Sequence, residues 1–126
     1  MSTIPVDRNR EREGPVPTDW RPTLKRIADA IQVGALNEVG LIKGVRPLND
    51  ETINQIRAYI ADYGETLVPL PDESWQSSVY ICIGQHWEVT VDLFTEAEGR
   101  SDLVFTAHVY DVSDNYEFEV RLVYVP

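Results

Sequence analysis

The chain has 126 residues, 43% of them hydrophobic, and a formal net charge of −10. That length builds one domain around one core. No apolar run nears the ~20 residues of a membrane-spanning helix, and the acidity repels nucleic-acid phosphates and anionic lipid, so neither a nucleic acid nor a membrane is an expected partner.

Residues 1–18 contain Pro5, Pro15 and Pro17 among many charges. They are expected to form a disordered or extended N-terminal tail, with a single domain over residues 19–126. The first residues, MSTIPVDRNREREG, lack the apolar core of a secretory signal. Cys82 is the only cysteine, so no internal disulfide can form, and a cytoplasmic location is expected.

Asp19 can cap a first helix, and Pro22 is tolerated in its first turn. Leu24, Ile27, Ala28 and Ile31 follow at helical spacing, and Gly34 is the expected stop. Residues 35–48 stay open between a short helical turn at 35–39 and irregular chain broken by Gly40, Gly44 and Pro47. Asn49 or Asp50 opens a second helix with Ile53, Ile56, Ile60 and Tyr63 as its apolar stripe and Gly64 as its left-handed cap. Residues 66–70 are a short extended piece, and a loop carrying Trp75 runs on to Ser78.

From Val79 onward the pattern changes to period two, the signature of half-buried strands. Trp87, Val89, Val91 and Leu93 alternate with Glu88, Thr90 and Asp92, and Leu103, Phe105, Ala107 and Val109 repeat the pattern. Pairing Leu93 with Leu103 puts every odd position on one face and sets Glu88 opposite His108, with a loop over residues 95–101. Val79, Ile81 and Ile83 give a strand before this hairpin. A three-residue loop at 84–86 would then pair Ile83 with Trp87. A two-residue Asp114-Asn115 turn would lead into a last strand, with Val109 opposite Val120 and Phe105 opposite Tyr124. Helices precede strands, so the fold class is α+β: two N-terminal helices packed on one face of a four-stranded antiparallel meander sheet.

Nothing in the chain matches a phosphate loop, a dinucleotide fingerprint or a metalloprotease helix, and no catalytic residues or cofactors are assigned. The expected register places Cys82, Glu88, His108 and Arg121 in one row on the outer sheet face. Cysteine, histidine and acid on one surface suggest zinc, but the spacing carries no ligand signature, so no metal site is expected. The charge is lopsided, with 8 basic and 6 acidic side chains in residues 1–49 against 3 and 15 in residues 50–126. The expected working surface is therefore acidic: Glu88, Asp92, Glu96, Glu98, Arg100, Asp102, His108, Glu117 and Glu119, on the outer sheet face and its hairpin loop.

The segment VDLFTEAEGRSDL, with ADYGETLVPLP before it and HVYDV after it, resembles a family of small uncharacterised bacterial proteins. Their shared pattern is close to W-x-V-x-V-D-L-aromatic-T-x-E-G-R-S-D-L, and the likeness covers roughly residues 23–126. The resemblance implies no activity and no catalytic residue. By analogy alone, small acidic α+β proteins of this kind look like immunity proteins. The expected function is a non-catalytic protein-binding domain that neutralises a basic partner such as a toxin domain. The alternatives are an accessory or structural domain, or a small metal-dependent enzyme using the outer sheet face.

Overall fold

The computed structural model describes residues 4–8 and 12–126; within the expected tail, residues 1–3 and 9–11 lie outside the described residues. Among the described residues the fold is α+β with a five-stranded antiparallel sheet in the order β1 (Gly14–Pro15), β2 (Val79–Cys82), β3 (Trp87–Thr95), β4 (Gly99–Val112) and β5 (Asn115–Tyr124). Two helices, α1 (Arg21–Val33) and α2 (Asp50–Tyr63), join the sheet in one hydrophobic core. The expected four strands become five because Gly14 and Pro15 pair with Tyr80 and Val79. Such a short edge strand, with a proline lacking its N–H, resists pairing with another chain.

Both helices end where glycine permits a left-handed residue, at Gly34 (φ 78°) and Gly64 (φ 81°). Asn49 caps α2, its side-chain oxygen accepting from the Thr52 N–H at 2.8 Å. Asp19 does not cap α1. It lies in a 3-10 turn, Thr18–Trp20, and Trp20 takes the cap position without a side-chain bond. The open stretch contains a 3-10 helix, Leu36–Leu41. The chain then runs along the far sheet edge, where Arg46 N–H donates to Phe118 C=O and Phe118 N–H donates to Gly44 C=O.

The β3–β4 register is as the alternation demands from Trp87–Val109 through Asp92–Val104. Beyond it a bulge intervenes. Phe94 pairs with Arg100 and Thr95 with Gly99, so the turn contracts to residues 96–98. The buried Ser101 hydroxyl fills the irregularity, donating to Leu93 C=O at 2.7 Å and accepting from Leu103 N–H.

Two expected registers are corrected. Cys82 pairs with Trp87 and Tyr80 with Val89, because Ile83 N–H bonds His86 C=O at 2.9 Å and closes a tighter turn with only Gly84 and Gln85 between them. This one-residue slip turns Tyr80 and Cys82 into the core and leaves Ile83 41% exposed on the other side. The last turn uses Ser113-Asp114, both with positive φ (45° and 68°), so Val109 faces Phe118 and Ala107 faces Val120. A second bulge, at Arg121, restores Val123 opposite Phe105 and turns Leu122 outward, 45% exposed. Moving this turn by one residue shifts the pairing by two, so side chains keep their faces and Glu117 and Glu119 stay outside as expected.

Trp20 fills the centre of the core. Its ring stands edge-on to Tyr80, Trp87 and Tyr116 at 5.3, 5.5 and 5.5 Å and to Phe118 at 6.4 Å, the geometry that aromatic quadrupoles favour.

Candidate functional site

The outer sheet face lies opposite the helices. Its central row reads Ile81, Glu88, His108, Glu119. The expected row of Cys82, Glu88, His108 and Arg121 does not exist, since Cys82 is buried on the core side and Arg121 sits in the bulge. Among the described residues no group of three or more His, Cys, Asp or Glu is placed to hold a metal ion.

The row is the middle of a connected cluster. His108 Nε2 lies 3.3 Å from Glu88 Oε2, and the Tyr110 hydroxyl lies 3.5 Å from His108 Nδ1. The same hydroxyl donates to Glu119 at 3.2 Å. Glu119 also receives Arg121 at 3.2 Å and Arg46 at 3.5 Å, while Arg46 holds Glu117 at 2.8 Å. The His86 ring stacks on Tyr110 (4.9 Å, 27°) and leans on His108 (4.6 Å). The Arg46 guanidinium lies 4.3 Å from the Tyr110 centroid.

Burial sets the electrostatics first. It pushes the His108 imidazole below its ordinary value, helped by His86 and Arg121 and opposed by the Glu88 hydrogen bond. For Glu119, burial is the largest influence and would raise the pKa. The hydrogen bonds from Arg121 and Tyr110, with the charges of Arg121 and Arg46, outweigh it and hold the carboxyl below the usual range. The cluster offsets most of its charge internally, three carboxylates against two guanidinium groups.

Of the expected surface residues, Glu88, His108, Glu117 and Glu119 come together here. Asp92 does not join them. Its carboxylate pairs with the Ser77 hydroxyl, and its main chain with Ser74 and Ser78. Glu96, Glu98, Arg100 and Asp102 lie at the far hairpin end. Eight extended residues separate Glu88 from Glu96, roughly 26 Å at strand spacing. Tyr63 pins that end to α2: its hydroxyl donates to Glu98 at 2.7 Å and accepts from Asp102 N–H at 3.2 Å. Tyr110 and Arg46 are absent from the expected surface. Even-numbered Tyr110 was recoverable from strand alternation. Arg46 left no periodic signal, because it reaches the sheet from irregular chain.

The single thiol faces away from this cluster, its Sγ 3.4 Å from Gly84 C=O. The outer face carries aromatic rings and guanidinium groups beside exposed Leu122 and Ile83.

Residues 28–126 match a family model described as a domain of unknown function, DUF7668. The chain belongs to that family, in line with the resemblance to uncharacterised proteins. No curated protein and no solved structure matches it. Among the described residues no helix is long and apolar enough to cross a membrane.

Proposed function

We propose that the chain is a non-catalytic protein-binding domain whose contact surface is the outer sheet face around Tyr110. One observation carries this reading. The face left open by the helices gathers His86, His108, Tyr110, Arg46 and Arg121 beside exposed Leu122 and Ile83. Aromatic and arginine side chains next to apolar area are the composition of binding hot spots. The partner proposed is a basic protein such as a toxin domain, which makes this chain its immunity protein. The net charge of −10 supports that choice, because opposite charge speeds encounter.

The test is co-expression with the product of the adjacent gene, followed by purification of the pair and surface plasmon resonance. Tyr110→Ala and Leu122→Asp should each weaken binding at least about tenfold, the loss expected of a hot-spot residue. Full affinity in both variants would move the contact surface elsewhere.

A further inference from the structure

On the opposite face of the sheet the chain lays its own N-terminal arm across Tyr80 and Trp87. Residues 4–8 run across the end of the sheet over Trp87 and Tyr80. The Trp87 indole N–H donates to the Asp7 carbonyl at 2.9 Å, and the Tyr80 hydroxyl donates to the Pro5 carbonyl at 3.3 Å. The Asp7 N–H closes the set by donating to the same Tyr80 oxygen. These bonds engage the main chain of the arm, so they would hold any extended segment in this position. Two side chains add selectivity. Val6 packs against the core. The Arg8 guanidinium lies 4.5 Å over the Trp87 ring and 3.1 Å from the Asp111 carboxylate. Main-chain bonds for affinity with pockets for alternate side chains are how extended peptides are recognised.

The arm's charged contact with the floor is weak. Among the described residues its ion pair to the floor is Arg8–Asp111, with side chains 61% and 45% exposed, where water screens most of the attraction. At its other end Ile4 N–H donates to the Thr18 hydroxyl at 2.9 Å. A cavity of about 410 Å³ runs alongside, bordered by Pro5, Arg12 and Tyr80. The floor residues Tyr80, Trp87 and Asp111 lie inside the family region 28–126, whereas the arm precedes it. The family domain thus contains the groove, and the segment ahead of it supplies the occupant.

We propose that this groove is a peptide-recognition site, self-occupied in the free chain, and that a partner's extended segment displaces the arm. The segment it fits carries an apolar side chain followed two positions later by a cation, as Val6 and Arg8 are spaced. Displacement requires the arm to leave without unfolding the sheet.

The full-length wild-type chain tests this first. The Trp87 indole N–H should exchange with deuterium at least tenfold faster, after correction for intrinsic rates, than the Val89 amide in the same strand. Exchange at the rate of Val89 would show that the arm opens only with the whole domain, and would overturn the proposal. The second test loosens the arm by Val6→Asp with Arg8→Glu in the full chain and titrates a synthetic peptide of residues 1–13. The peptide should shift the Trp87 indole signal and bind at least tenfold more tightly to this variant than to wild type, and a peptide carrying Arg8→Glu should not. A folded variant that leaves the Trp87 signal unmoved at millimolar peptide would also overturn it. If the variant does not fold, the wild-type exchange rates decide. Neither test touches Tyr110 or Leu122, so its result is independent of the outer-face reading.

Discussion

Trp20→Ala probes where the domain begins. Trp20 is fully buried and meets four aromatic rings at centroid distances between 5.3 and 6.4 Å. Truncating a buried tryptophan costs about 3–5 kcal/mol through lost transfer energy and the cavity left behind. A domain of this size has a total stability on the order of 5–15 kcal/mol. At about 3–6 °C per kcal/mol, the melting temperature should fall by roughly 10–30 °C. Trp20→Phe should recover about half of that loss, since it keeps one ring edge-on to its neighbours. It also removes an indole N–H that has no hydrogen-bond partner among the described residues. Trp75→Ala is the control. Trp75 is half-buried, with Arg21 at 5.6 Å from its ring, and its loss should cost about 1 kcal/mol. Differential scanning calorimetry reads all three variants. A Trp20→Ala chain melting within about 3 °C of wild type would refute the reasoning, because residues 17–20 would then contribute nothing to the core.

Val91→Asp should abolish cooperative unfolding, because it places an unpaired carboxylate at a fully buried position; a cooperative melt at the wild-type temperature would show that the sheet face is misassigned. Ser78→Ala should cost about 1–3 kcal/mol in urea denaturation, since the Ser78 oxygen accepts from Asp92 N–H at 3.0 Å and shares a bond with Ser74. Acidification should weaken the fold in two windows. Burial holds His108 below its ordinary 6.5, so below about pH 6.5 the unfolded chain takes up a proton that the folded chain refuses, and stability falls as pH drops through that window. Glu119 is held below its ordinary 4.5 despite burial, so its contribution is present above that value and is lost as pH falls through the folded pKa. Urea midpoints at several pH values check both, and His108→Gln should flatten only the upper window.

The β3–β4 hairpin was legible because polar and apolar residues alternate strictly from Trp87 to Asp92 and from Phe105 to Val109, and a slip would bury Glu88 or Asp92. The same logic had no grip on β2. Val79, Tyr80, Ile81 and Cys82 are all apolar, so either face could be buried. The outcome was decided by a turn closing from Ile83 to His86 and by the fit of Tyr80 against Trp20. Bulges were equally hidden, since Ser101 read as part of the hairpin loop and Arg121 as an ordinary strand residue until their partners are known. The fifth strand was missed because Gly14 and Pro15 carry no period at all. In the site, Glu88, His108, Glu117 and Glu119 could be read from strand parity. Arg46 could not, because it arrives along the sheet edge from irregular chain.

Charge explains how the surface divides its labour. In sequence the acids of the sheet half look like one field, yet folding separates them. Glu88, Glu117 and Glu119 end among Arg46, Arg121 and His108, where ion pairs and hydrogen bonds bind them to one another. Glu96 and Asp102, at the hairpin end, make no ion pair among the described residues, and Glu98 only accepts from Tyr63. Within the proposed binding reading, the compensated cluster supplies shape and specificity and the hairpin end supplies the long-range field. The two roles separate experimentally. Added salt screens fields beyond roughly 8 Å at physiological ionic strength, so it should slow association with a basic partner much as Glu96→Lys with Glu98→Lys does. Neither change should speed dissociation. Tyr110→Ala should do the reverse, speeding dissociation while leaving the salt dependence of the on-rate intact. If the hairpin reversal and the Tyr110 variant gave the same kinetic signature, the division between steering and docking would fail.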